Sequence, residues 1–171
     1  MVREAFEDAE DTQLPDQCWT ISELVFIAGD VSADSMSGLD GVAEAIYRHC
    51  VRFTNYSSRY DLALGISNVK RLGIAPRVGI GLPDGAPAKA LNVDCTDYYG
   101  QWSTDNTIQT TDSPNGHFGV ESHSWYFGNK VFARDLFEVL IGTAGASRYA
   151  QGADSAADKP VCAAAMTAPI S

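Results

Sequence analysis

The hydrophobic and polar positions change period several times along the chain, and each change marks an element. Val2, Ala5, Phe6 and Ala9 fall at i, i+3, i+4 and i+7. That spacing predicts an amphipathic helix whose other face is acidic. No capping residue precedes it, so an upstream segment is expected to be missing. Residues 11–22 read as a loop, with Pro15 as a breaker. Glu23 to Asp30 (E-L-V-F-I-A-G-D) is a nearly continuous apolar run, as in strands of parallel sheets buried on both faces. Leu39, Val42, Ala43, Ile46, Tyr47 and Cys50 then hold helical spacing for three turns. From Val51 the period falls to two: Val51, Phe53 and Asn55 alternate with Arg52, Thr54 and Tyr56. Strand, helix and strand make a βαβ unit, whose crossover is right-handed by rule. A short helix follows from Asp61 to Asn68.

The segment from Lys70 to Lys89 is crowded with Gly and Pro and reads as a long, functional or mobile connection. Ala90 to Thr96 is a third strand, and Gly100 to Gly119 a polar loop. Lys130 to Ile141 is the last helix, with Phe132, Leu136, Val139 and Leu140 on one face, Asn129 as its cap and Gly142 as its stop. The tail from residue 143 is rich in Ala, Ser, Asp and Pro without period and is expected to be disordered. The pattern implies an α/β fold: a partial, doubly wound, mostly parallel sheet of about three strands with flanking helices, in one domain over residues 1–142.

Composition narrows the function. The 171 residues carry 12 basic and 22 acidic side chains, a net charge of −10, with 45% hydrophobic and 20% charged content. An acidic protein of this kind is a poor match for nucleic acid or an anionic membrane, which need a basic face. The apolar runs are too short to span a bilayer, and the acidic start is not a secretory signal. Cys18, Cys50, Cys95 and Cys162 are scattered. They read as reduced thiols of a cytoplasmic protein rather than a disulfide framework or a zinc site.

The candidate chemistry is an acid and a base. Open α/β sheets collect ligands at the carboxyl ends of their strands. Asp61 follows the second strand there, and His123 lies in Glu121-Ser122-His123-Ser124-Trp125-Tyr126 ahead of the last helix. Each is expected on a loop after a strand. An aspartate holds an imidazole's tautomer and orientation while the imidazole moves a nucleophile's proton. Each residue also has a plain structural reading: Asp61 as a helix cap, His123 as a loop histidine against Trp125 or Tyr126. His49, on the polar side of its helix, and His117, in a Gly-rich loop, read as structural or solvated. Asp30, at another strand end, reads as a loop former, with an alternative acid as its other reading, and Asp94 with Asp97 makes a weak metal candidate without further ligands. The G-x-G at Gly79 to Gly81 lacks both the helix and the Lys-Ser/Thr pair of a phosphate loop. No cofactor is implied, and the partner is a small-molecule substrate of unknown identity.

The nucleophile is what the chain lacks. No G-x-S-x-G elbow occurs. Ser67 lies in the helix after Asp61 and Ser147 in the tail, and neither follows a strand directly.

Four segments carry a family resemblance: L-V-F-I-A-G-D-V-S-A-D-S-M, Y-S-S-R-Y-D-L-A-L, R-L-G-I-A-P-R-V-G-I-G-L-P-D and S-H-S-W-Y-F. Together, over about Glu4 to Gly142, they resemble the C-terminal half of a branch of bacterial α/β-hydrolases. The resemblance implies that Asp61, in S-R-Y-D, is the triad acid and His123, in H-S-W, the triad base. It implies that strands one to five, the oxyanion hole and a serine in an H-S-M-G-N-like elbow belong upstream of this chain. The 171-residue chain is then expected to be inactive alone, the complete protein to cleave an ester- or amide-type bond, and the unpaired edge of the first strand to favour self-association. The rival expectation is a non-catalytic α/β domain that binds a small molecule or partner through the loops at 70–89 and 100–119. A redox or metal protein is a third, weaker reading.

Overall fold

The computed structural model describes residues 4–6, 20–37, 41–70, 76–105 and 121–143, with side chains omitted at 41–42, 67–70, 104–105 and 121. Its centre is a three-stranded, wholly parallel sheet in the order β1-β2-β3. The strands are β1 (Ile21–Ile27), β2 (Cys50–Ser57) and β3 (Ala90–Asp94). Ile21 is in register with Cys50, and Leu24 with Phe53. Phe53 is opposite Ala90, and Ser57 opposite Asp94. Helix α1 (Gly41–Arg48) carries the chain from β1 to β2, and α2 (Leu62–Lys70) leaves the end of β2. Among the described residues, the α-helices α3 (Thr96–Asp105), α4 (Glu121–Ser124) and α5 (Lys130–Leu140) follow β3.

Alternation along the strands divides the core in two. Leu24, Phe26 and Phe53 face one side, where Ala43, Ile46 and Tyr47 of α1 pack with Met36 and Val78. Val25, Ile27, Tyr56 and Val93 face the other, against Tyr99 of α3, Trp125, Tyr126 and Phe132 of α5. With both faces covered, the L-V-F-I run of β1 needs no polar side. On the second side Tyr56 donates a 2.6 Å hydrogen bond to Asp135, tying β2 to α5. Asn129 caps α5 as its position indicates, its side-chain oxygen accepting from Val131 N at 2.9 Å and Phe132 N at 3.0 Å. Gly142, with φ of 73°, ends that helix.

The structure refines three expectations. The stretch after β3 is not loop from residue 100. Asp94 accepts from the Thr96 backbone at 2.9 Å and from its hydroxyl, and this turn launches α3 directly from the strand. Asp94 is therefore a turn former. Of the two readings of His49, structural or solvated, the first holds: it lies in the turn between α1 and β2 and is 1% exposed. The segment 76–81, part of the connection expected to be functional or mobile, is hydrogen-bonded to the chain just after β1 and just after β2. Val78 N donates to Val31 O at 2.9 Å, Gly79 N to Gly29 O at 2.9 Å, and Ser58 N to Gly79 O at 2.8 Å. Asn55 adds a 2.6 Å side-chain bond to Val78 O. Gly79 has to be glycine here, because a Cβ would stand 2.7 Å from the Ala28 carbonyl carbon and 2.8 Å from Gly29 N.

Residues 4–6 are helical, with Phe6 in the α1-side core. The remainder of the expected first helix, His117, Ser147, Cys18, Cys162 and the tail from 144 lie outside the described residues. No helix among the described residues is long and apolar enough to cross a membrane.

The α1 side also carries a pH dependence. Burial pushes the Tyr47 phenol well above its ordinary value of 10, with the neighbouring Cys50 adding to the rise. Burial likewise raises the Cys50 thiol from its ordinary 9, with Lys89 opposing and Glu23 reinforcing the shift. A raised folded-state pKa means that the unfolded chain loses its proton first as pH rises. The stabilisation is present below the ordinary values and is lost above them. We expect urea midpoints to fall as pH is taken from 9 through 10 and beyond, with Tyr47→Phe flattening the part above pH 10.

Candidate active site

β2 ends at Ser57, and the chain turns through Ser58, Arg59 and Tyr60 before α2. The turn is closed by Asp61 N donating to Ser58 O at 3.2 Å, and Ser58 N is held by Gly79 O. Tyr60 N donates to the Ser58 hydroxyl at 3.3 Å. Asp61 arrives at the cap position of α2, where its Oδ1 accepts from Leu64 N at 3.1 Å. The structural reading of Asp61 is thus correct as far as it goes. The second oxygen of the same carboxylate has another partner: Asp61 Oδ2 is 2.8 Å from His123 Nδ1.

His123 reaches that position from α4, not from a loop directly after β3. The whole of α3 intervenes, together with residues 106–120, which lie outside the described residues. A second bond fixes α4 against α2, because Leu62 N donates to the Ser122 hydroxyl at 3.1 Å. Two consecutive residues, Ser122 and His123, therefore grip the first turn of α2. Ser122 was not singled out from the sequence; its position beside His123 is the only signal it offered. Just beyond, Trp125 and Tyr126 pack on each other with ring centroids 4.3 Å apart and close the aromatic core beneath the site.

The Asp61 side chain is fully buried and that of His123 is 43% exposed. A carboxylate only accepts hydrogen bonds, so the bond places a hydrogen on Nδ1 and leaves the neutral ring's lone pair on Nε2. The pair thus presents an oriented basic nitrogen on a partly open ring. Among the described residues, no hydroxyl or thiol is hydrogen-bonded to that nitrogen.

The other sequence candidates are not brought to this pair. Asp30 faces Arg77 at 3.3 Å. The backbone amides of Gly79, Ile80 and Gly81 are spent on Gly29 O and Arg77 O, so the G-x-G cannot cradle a phosphate. Cys50 and Cys95 are buried. No group of three or more His, Cys, Asp or Glu that could hold a metal occurs among the described residues. Comparisons of the chain with protein-family models, with curated proteins and with solved structures find no match.

Proposed function

We propose that Asp61 and His123 are the acid and base of a serine-hydrolase triad, and that this chain is the C-terminal portion of an α/β-hydrolase acting on an ester- or amide-type bond. The observation that carries the reading is the 2.8 Å contact between Nδ1 and a fully buried carboxylate. Its placement lends support, since the acid directly follows the middle strand of a parallel sheet, with the base later in the chain on α4. In the reaction, Nε2 takes the proton of a serine hydroxyl as that oxygen attacks the substrate carbonyl. Asp61 holds the imidazolium that forms, and Nε2 returns the proton to the leaving group. The serine and the oxyanion donors belong to a segment other than the described residues.

A second reading is a non-catalytic α/β binding domain. The capping bonds of Asp61 and Ser122 favour it, because they give both residues a structural use. Two measurements separate the readings. The purified 171-residue chain is expected to show no serine captured by a fluorophosphonate probe; a labelled serine within it would overturn the division of the triad. The coding sequence ahead of Met1 is expected to continue in frame into a strand and an elbow serine, and a protein including that segment is expected to be labelled only while His123 is intact. An in-frame stop directly ahead of Met1 favours the binding domain.

A further inference from the structure

We infer that His123 Nε2 is itself an acyl acceptor, and that this chain, although it is expected to lack the serine-dependent triad reaction, turns over small carboxylic esters with good leaving groups, such as aryl esters. The inference rests on the Asp61–His123 pairing above but not on a serine. Three observations lead to it. Nδ1 is bound to Asp61 at 2.8 Å, so the ring is held in one orientation with its lone pair on Nε2. The side chain is 43% exposed, so a solute can reach it. No described hydroxyl or thiol is hydrogen-bonded to Nε2.

A neutral imidazole is a competent nucleophile toward an activated carbonyl. In the first step the Nε2 lone pair forms a bond to the ester carbonyl carbon. The carbon–oxygen bond to the aryl group breaks, and the aryl oxide departs with its electron pair. The product ring is a cationic N-acylimidazolium that still carries hydrogen on Nδ1, directed at the buried carboxylate, which stabilises the new charge. Water then attacks the acyl carbon, the carbon–nitrogen bond breaks, and its electron pair returns to Nε2. A carboxylic acid leaves and a proton passes to solvent. Alkyl esters and amides are excluded, because their leaving groups need a proton donor and oxyanion donors that the pair does not supply. His49 cannot compete, being 1% exposed.

The test is multiple-turnover hydrolysis of 4-nitrophenyl acetate by the full chain after fluorophosphonate treatment. Turnover separates this chemistry from lysine acylation, which stops at one stoichiometric burst. We expect a steady rate above the buffer blank, reduced on the order of tenfold or more by His123→Gln and unchanged by His117→Gln. Asp61→Asn keeps a capping residue, since Asn caps as well as Asp. Its amide places an N–H toward Nδ1 and moves the ring hydrogen to Nε2, so its rate is expected to fall several-fold with the fold intact by circular dichroism. Wild-type turnover in His123→Gln or in Asp61→Asn overturns the inference, as does loss of turnover on fluorophosphonate treatment or no turnover above the blank. No turnover while the Nδ1 bond to Asp61 is present in solution refutes this inference alone. Loss of that bond refutes the pairing on which both readings rest.

Discussion

Gly79→Ala is expected to destabilise the fold by about 2–3 kcal/mol, at the upper end of what overpacking costs. For a chain of this size that lowers the melting temperature by roughly 5–10 °C. The reason is the surroundings of the missing side chain. A Cβ at residue 79 would collide with Leu64 Cδ1 and stand 2.7 Å from the Ala28 carbonyl carbon and 2.8 Å from Gly29 N. Leu64 could rotate away, but the two backbone atoms belong to the exit of β1 and cannot. The same residue accepts from Ser58 N and donates to Gly29 O, so moving it loosens the exits of both β1 and β2. Asp61 sits three residues past Ser58, so the loss should also displace the acid. Gly81→Ala is the control: its Cβ would meet nothing within 4 Å, and its melting temperature is expected to stay within a degree or two of wild type, on the order of a surface substitution. Equal melting temperatures for the two variants would show that segment 76–81 does not clamp the sheet.

The second large effect is at Asp61, where two substitutions divide two roles. Asp61→Ala removes the oxygen that accepts from Leu64 N and the one that accepts from His123. Loss of the cap alone costs about 1–2 kcal/mol, and the imidazole loses its fixed orientation as well. Asp61→Asn restores the cap and is expected to recover all but a few tenths of a kcal/mol, while leaving the histidine in the wrong tautomer. Chemical denaturation of the two variants reads the first role, and His123-dependent chemistry reads the second. If Asn and Ala were equally destabilised, the carboxylate's contribution would lie in the His123 bond rather than in the cap.

The strands, α1 and α5 were legible because burial imposes a period. L-V-F-I in β1, the alternation of β2 and the i, i+3, i+4 spacing of Ala43, Ile46 and Tyr47 all follow from which faces are covered. Asn129 and Gly142 were legible because helix ends have local chemical requirements. Helix α3 was not, since Thr96-Asp97-Tyr98-Tyr99-Gly100-Gln101-Trp102-Ser103 has turn-like composition and is held by aromatic contacts with Trp125, 5.4 Å from Tyr99 and 5.8 Å from Trp102. His49 was left between a structural and a solvated reading because it falls on the polar side of the helical projection, whereas the helix stops at Arg48 and the next residue turns inward. The role of 76–81 depends on backbone bonds to residues about 20 to 50 positions earlier, which leave no local mark beyond the need for glycine at 79.

The site was legible in its members rather than in its geometry. Asp61 and His123 are separated by 62 positions, and residue types at such a distance give only an order along the sheet. What the sequence did not reveal is that one carboxylate serves both readings at once, one oxygen capping α2 and the other on the imidazole. Nor did it reveal that Ser122 holds α4 in place through Leu62 N.

The most direct test of the central claim is the protonation state of His123 in solution, read by long-range ¹H–¹⁵N correlation on the labelled chain. The structure leads us to expect hydrogen on Nδ1, a hydrogen-bonded proton shifted far downfield, and loss of that proton in Asp61→Asn. A wild-type His123 with its hydrogen on Nε2, or an Nδ1 proton indifferent to Asp61, would contradict the pairing and the acid–base chemistry built on it.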